Sequence, residues 1–179
     1  MGFVRKFYLL VFLIIFSVLA KAQPYRQLSA EDFRGEPQRG GLAVAATACT
    51  IDLKYDVHAR NGNYQLKFYI RLLIDRERSW MDHERVNTPE MLAEILKHEQ
   101  GHYAINYLEQ QELQRELEGR QYSGNYKEEV SAIFDRIHEK YDQLNKDYDD
   151  DTENSRNRKQ QATWDRYFQR QLGYIMASR

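Results

Sequence analysis

Two stretches of the chain alternate between apolar and polar residues, which is the pattern of β-strands with one buried face. Apolar side chains occupy every second position from Cys49 to Val57 and again from Tyr64 to Ile74. The dipeptide Asn61-Gly62 lies between the two stretches and favours a two-residue hairpin turn. The pattern therefore predicts an antiparallel hairpin whose apolar face, including Cys49, is buried.

From Thr88 onward the apolar residues recur with helical spacing. Thr88 can cap a helix and Pro89 suits its first position, so we expect a helix that runs to Glu118 and stops near Gly119. Two more helices are marked by Val130, Ile133, Phe134, Ile137, Tyr141 and Leu144, and by Trp164, Phe168, Leu172 and Ile175. Residues 147–158 lack this spacing and are predicted to form a loop. The expected fold is α+β, an N-terminal hairpin or small sheet packed on about three helices.

Residues 1–22 have the three parts of a secretory signal peptide. Arg5 and Lys6 supply a basic start, residues 7–20 form an apolar run, and Ala20-Lys21-Ala22 is a small-x-small end. The run is shorter than the roughly 20 residues of a membrane span, and an uncleaved anchor is the alternative. We expect cleavage after Ala22, leaving residues 23–179 as one domain that is secreted or periplasmic and has no membrane span.

The composition excludes several classes of protein. The chain has 179 residues, 26 of them basic and 27 acidic, so its net charge is −1 and no nucleic-acid partner is expected. Cys49 is the only cysteine, which excludes a disulfide framework and any site built from several thiolates. No feature of the sequence assigns an oligomeric state.

Residues 98–102 read His-Glu-Gln-Gly-His, an HExxH motif on the first predicted helix. Histidines four residues apart project from one face of a helix, so both can bind a single zinc ion. The glutamate after the first histidine can then act as general base toward a zinc-activated water. The motif predicts His98 and His102 as zinc ligands and Glu99 as the catalytic residue.

A catalytic zinc site needs a third protein ligand. In the metzincin class this ligand lies six residues after the second histidine, where this chain has Leu108, so that class is excluded. In gluzincin-type enzymes a glutamate comes from a later helix. Glu128 and Glu129, at the start of the second predicted helix, lie at a possible distance along the chain.

Several short motifs accompany the HExxH helix. The most specific is a Tyr-Asp-x-x-Thr element formed by Tyr148, Asp149 and Thr152. The others are Asp32-Phe33-Arg34-Gly35, Ala46-Thr47, Ser79-Trp80, Leu96-Lys97, Ser155, Asn157, Gln161 and Trp164. With these motifs, nearly all of the mature chain resembles a bacterial family of predicted secreted zinc-dependent proteases that is catalogued as a domain of unknown function. The resemblance implies a zinc cofactor and a peptide or protein substrate.

One position departs from the pattern of that family, which places a histidine two residues after the threonine of the Tyr-Asp-x-x-Thr element. This chain has Asn154 there, and an asparagine carbonyl is a poor zinc ligand beside imidazole or carboxylate. Three possibilities follow. Asp149 or Glu153 supplies the third ligand from the same segment, Glu128 or Glu129 supplies it from the helix, or zinc binding is weakened.

Other polar and aromatic residues are interpreted as structural. His58, His83 and His138 are expected to be solvated or structural, and Trp80 and Trp164 to belong to the core. The acidic run at residues 149–151 lacks the spacing of a calcium loop and is interpreted as part of a solvated loop.

The sequence thus predicts a secreted or periplasmic zinc metallopeptidase that hydrolyses peptide bonds through a zinc-activated water. The alternative is a non-catalytic pseudo-peptidase that acts as an envelope binding or structural protein. Asn154 favours the alternative, whereas an intact Glu99 between two histidines favours the enzyme.

Overall fold

The computed structural model describes residues 23–38 and 40–177 of the chain. The predicted signal peptide, residues 1–22, lies outside the described residues. Residues 23–38 form a largely extended lead-in that contains one short 3₁₀ turn, Ala30–Asp32. Within the described ranges, none of the helices combines the length and apolar character needed to cross a membrane.

In the described part of the chain, four strands form two small antiparallel sheets. β1 (Ala45–Ala46) pairs with β4 (Trp80–Met81), and β2 (Cys49–Arg60) pairs with β3 (Asn63–Ile74). On its other side, β4 is bridged by Gly35. Because β4 is covered on both sides, β1 is an edge strand of the smaller sheet.

The β2–β3 sheet is the hairpin that the sequence predicts, with Cys49 opposite Ile74 at its open end. Asn61 and Gly62 have φ angles of 52° and 78°, the left-handed values that a type I′ turn requires. The buried face of β3 carries Phe68, Ile70 and Leu72. The last residues of β2, from Asp56 to Arg60, are all exposed, so Val57, predicted to be buried, is 36% exposed.

α1 (Pro89–Glu118) begins and ends where the sequence predicts. The Oγ1 atom of Thr88 accepts a hydrogen bond from the Met91 amide at 3.2 Å, which satisfies one of the free N–H groups of the first turn. α1 packs against β3 and against both later helices, so it lies at the centre of the core. Its buried residues include Ile95, His98, Glu99 and Ile105.

α2 (Tyr126–Thr152) is longer than predicted, and α3 (Arg158–Ala177) follows it. The prediction of a loop over residues 147–158 is wrong for its first half, because residues 147–152 are the last turns of α2. Tyr148 and Thr152 continue the buried stripe of this helix, and both are fully buried. The architecture of two small sheets and three helices is α+β, as predicted.

A tight turn joins α2 to α3. Glu153, Asn154 and Ser155 have φ angles of 51°, 52° and 78°, a left-handed conformation that residues other than glycine rarely adopt in succession. The Asn154 amide donates to the Asp149 carbonyl at 3.1 Å and closes the end of the helix. This reversal brings α3 back beside α1 and α2, where Gln161 is buried.

Candidate metal centre

The HExxH residues lie on the buried side of α1. His98 and Glu99 are 4% and 2% exposed, and His102, one turn further on, is half-buried. The spacing of four residues makes the two imidazole rings neighbours, with centroids 5.0 Å apart. The geometry of the motif is therefore the one that the sequence predicts.

Asp149 from α2 faces both histidines. Its Oδ1 atom lies 3.2 Å from Nε2 of His98 and 3.1 Å from Nε2 of His102. One ligand atom from each of the three residues lies within 4.8 Å of the other two. Ligands about 2.1 Å from a tetrahedral zinc ion lie about 3.4 Å from each other, so the two measured distances are close to those of a metal site.

The second nitrogen of each imidazole is held by an amide side chain. Nδ1 of His98 lies 3.2 Å from Oε1 of Gln161, and Nδ1 of His102 lies 2.9 Å from Oδ1 of Asn145. Both amide oxygens can accept a hydrogen bond from Nδ1, and the tautomer that carries its proton there leaves Nε2, which is directed at Asp149, available to bind a metal. Outer partners of this kind orient metal-binding histidines and fix their tautomer.

Tyr148 fixes the distance between α1 and α2 at this point. Its ring stacks on His98 with centroids 4.8 Å apart, and its hydroxyl donates to the His98 carbonyl at 3.0 Å. Gly101 makes this approach possible, because a Cβ atom there would lie 2.3 Å from the Tyr148 hydroxyl oxygen. Asp149, the next residue of α2, is thereby placed opposite the histidines.

The charges of the site reinforce each other. Burial alone would lower the pKa of His102, but its hydrogen bond to Asp149 and the charge of Glu99 outweigh burial and raise the pKa to about 9. For Asp149, burial favours the neutral acid, yet the hydrogen bonds from His102 and His98 hold its pKa well below the usual range. The metal-free chain therefore keeps a negative charge on Asp149 where a cation would bind.

Glu99 is held by a residue from the edge of the smaller sheet. The Thr47 hydroxyl donates to Oε2 of Glu99 at 2.6 Å. Both residues line an open cleft of about 560 Å³, and the two histidines and Asp149 are also part of its lining. The cleft lies between residues 43–49 on one side and α1 with α2 on the other.

The other predicted third ligands do not reach this point. Glu129 lies in the first turn of α2, 20 residues before Asp149, and a helix of that length places them about 30 Å apart. Glu128 lies beside it. Glu153 is exposed just beyond the end of the helix, where its carboxylate accepts a hydrogen bond from Asn157. Asn154 lines the cleft.

The interpretation of residues 149–151 as a solvated run holds for two of the three. Asp150 and Asp151 are exposed, but Asp149 is half-buried in the site. The helical spacing of the site-facing residues indicates that Asp149 is directed inward. Asn145, Asp149 and Thr152 are three or four positions apart and lie on the face of α2 that also carries Tyr148. The sequence pattern assigns no role to Asn145, and Thr47 and Gln161 belong to it only as parts of short motifs.

The remaining candidates also have clear positions. His138 lines the same cleft and its Nδ1 atom lies 2.8 Å from Oε1 of the buried Glu109. Trp80 is buried as predicted, and Trp164 packs edge-on against Tyr148. Cys49 is half-buried in the cleft wall, and burial raises the pKa of its thiol to about 12, so it remains a neutral thiol.

The donor set fits a catalytic type of zinc site. Zinc binds imidazole nitrogen and carboxylate oxygen, and catalytic sites use three protein ligands with one position left open. His98, His102 and Asp149 provide two nitrogens and one oxygen, and the cleft leaves the fourth direction accessible. The described residues offer one such group of three potential ligands.

The fold and the site together define an α+β protein with an HExxH helix and a candidate His-His-Asp metal centre. The chain belongs to a family described as bacterial protein of unknown function (DUF922), whose sequence model matches residues 20–157. The matched range includes the HExxH helix and Asp149, and it ends before α3. No curated protein and no solved structure matches the chain.

Proposed function

We propose that the protein is a zinc-dependent metallopeptidase that acts on peptides or proteins. The observation that carries this proposal is the convergence of His98, His102 and Asp149 beside the buried carboxylate of Glu99 in an open cleft. The signal-peptide pattern of residues 1–22 supports a secreted or periplasmic location.

Each residue of the centre has a role in this reaction. His98, His102 and Asp149 would hold the zinc ion, which when bound polarises the scissile carbonyl and acidifies a water molecule. Glu99 takes the proton of the attacking water and delivers it to the leaving amine. Gln161 and Asn145 keep the two imidazoles in the orientation that the ligands need.

The edge of the smaller sheet supports a peptide as the substrate. The Asp82 amide donates to the Val44 carbonyl at 2.8 Å, so Val44 and Ala46 direct their main-chain groups toward β4. In an antiparallel ladder the intervening residues direct theirs the opposite way, so Ala45 and Thr47, which line the cleft, direct their main-chain groups away from β4. An extended peptide can pair with such an edge, and this one borders the cleft.

The non-catalytic alternative rests on Asn154, which stands where the related family has a histidine. Asp149 offers a negatively charged carboxylate at hydrogen-bond distance from both imidazoles. A carboxylate is a better zinc ligand than a neutral amide, so the departure at Asn154 is not by itself an argument against catalysis.

The test is hydrolysis of a mixed peptide library by the zinc-loaded protein, expressed from the full-length sequence and followed by mass spectrometry. We expect cleavage by the wild type. Glu99→Gln should lower the rate at least about 100-fold, because general-base catalysis contributes that much, while zinc content is retained. Glu90→Gln, on an exposed residue of the same helix, is the matched control and should cleave normally.

Two results would argue against the proposal in different ways. Equal cleavage by the Glu99→Gln variant would refute the assigned mechanism. A wild-type protein that holds one zinc ion per chain and cleaves no peptide in the library would favour the non-catalytic envelope protein instead.

A further inference from the structure

Thr47 connects the edge strand to the glutamate of the HExxH motif. It directly follows β1 and lies 52 residues before Glu99 in the sequence. Its hydroxyl donates to Oε2 of Glu99 at 2.6 Å, which is at the short end of the range for O–H···O hydrogen bonds. Among the described residues, Thr47 is the hydrogen-bond partner of the Glu99 carboxylate, and this bond involves one of the two carboxylate oxygens.

The backbone on both sides of Thr47 is fixed. The Ala48 amide donates to Oγ of Ser79 at 2.9 Å, and the Ala48 carbonyl accepts from the Asp75 amide at 2.9 Å. On the other side, Ala46 is paired with Trp80 in the small sheet. The β-branched side chain of a threonine has few rotamers, so its hydroxyl is directed at Glu99 with little freedom.

We infer that Thr47 is a positioning residue for Glu99, and this inference rests on the proposed peptidase function. A glutamate side chain has three rotatable bonds, and general-base catalysis requires one oxygen to be within hydrogen-bond reach of the attacking water. By holding Oε2, Thr47 leaves Oε1 as the oxygen that accepts the proton. Because the same residue belongs to the strand edge that borders the cleft, the base and a bound peptide are aligned by one rigid segment.

The kinetic test compares Thr47→Val, which removes the donor, with Thr47→Ser, which keeps it. We expect Thr47→Val to lower kcat about 10- to 100-fold with KM changed less than about threefold, because misplacement of a catalytic group costs rate rather than binding. Thr47→Ser should restore kcat to within about threefold of the wild type. Thr50→Val, an exposed threonine on β2, is the matched control.

A second measurement needs neither zinc nor substrate. In the metal-free protein, urea unfolding of Thr47→Val, Glu99→Ala and the double variant forms a double-mutant cycle. We expect the shift of the unfolding midpoint in the double variant to differ from the sum of the two single shifts, because the residues share a hydrogen bond. Additive shifts would show that the contact is absent and would overturn the inference.

The outcomes separate this inference from the proposed function. A zinc-loaded Thr47→Val variant with unchanged kcat, beside an inactive Glu99→Gln variant, would overturn the positioning role and leave the peptidase intact. If the double-mutant cycle shows coupling but the wild-type protein hydrolyses no peptide, both the positioning role and the peptidase function are overturned. Thr47 would then be a structural partner of Glu99.

Discussion

At the scale of single residues, the site depends on one carboxylate oxygen. Oδ1 of Asp149 lies within 3.2 Å of two imidazole nitrogens, and the opposite nitrogens are fixed by Gln161 and Asn145. Without a metal, a proton on His102 stabilises this arrangement. With a metal, the cation replaces that proton, since only the neutral imidazole can bind it.

This exchange predicts a pH dependence of the metal-free protein. The pKa of His102 is about 9 in the folded chain and about 6.5 when unperturbed, so the folded state binds the proton more tightly. The stabilisation is fully present below pH 6.5 and is lost as the pH rises toward 9. We expect the urea midpoint of the chelator-treated wild type to fall over this range relative to that of His102→Gln.

His83→Gln, at an exposed position away from the site, is the control and should retain the wild-type dependence. Parallel pH profiles for the wild type and His102→Gln would mean that the protonated pair does not stabilise the metal-free fold.

The residues of the site differ in how far the sequence alone could predict them. His98, Glu99 and His102 follow from spacing on one helix, which is a local property. Asp149 is one of several candidates for the third ligand on sequence grounds, because its position relative to the histidines depends on where α2 ends. The contact between Thr47 and Glu99 joins residues 52 positions apart, and no local pattern encodes such a pair.

At the scale of elements, α2 carries the main difference between prediction and structure. The hairpin and α1 follow from strong periodic patterns and clear turn or cap residues, and both are confirmed. The last turns of α2 are difficult to predict because the acidic residues 149–151 interrupt the apolar spacing. In the structure, Tyr148 and Thr152 nevertheless continue the buried stripe of the helix. Packing against α1 therefore stabilises the helical conformation of this segment, which local propensity alone leaves undetermined.

The packing of α1 on α2 predicts opposite effects for two glycine substitutions. A Cβ atom at Gly101 would lie 2.3 Å from the Tyr148 hydroxyl oxygen, whereas nothing lies within 4 Å of one at Gly173 in α3. We expect Gly101→Ala to lower the free energy of unfolding by about 1–3 kcal/mol. Gly173→Ala should raise it by up to about 1 kcal/mol, because alanine favours a helix.

Chemical denaturation of both variants checks this prediction. Gly101→Ala should also weaken zinc binding, since Tyr148 and Asp149 move together. If Gly101→Ala is as stable as the wild type, the helices do not approach each other as closely as described.

At the scale of the whole molecule, the fold brings three distant segments to one place. The segment after the edge strand β1 contributes Thr47, α1 contributes the HExxH residues, and α2 contributes Asp149. α3 contributes Gln161, which forms hydrogen bonds with both His98 and Tyr148. The candidate metal centre is thus a product of the complete fold, and metal binding, if it occurs there as proposed, should report on all of these segments.

The proposed metal centre is tested most directly by a competition titration that measures zinc affinity. The titration compares the wild type, expressed from the full-length sequence, with the Asp149→Asn variant. Loss of a side chain that orients a metal-binding histidine typically lowers metal affinity about 10- to 100-fold, so loss of a ligand should lower it more than about 100-fold. Asp150→Asn, the exposed neighbour, and Asn154→Ala should bind like the wild type.

We expect one zinc ion per chain in the wild type and a selective loss of zinc in Asp149→Asn. A wild type without stoichiometric zinc, or zinc binding that survives in Asp149→Asn and is abolished in Asn154→Ala, would contradict this expectation.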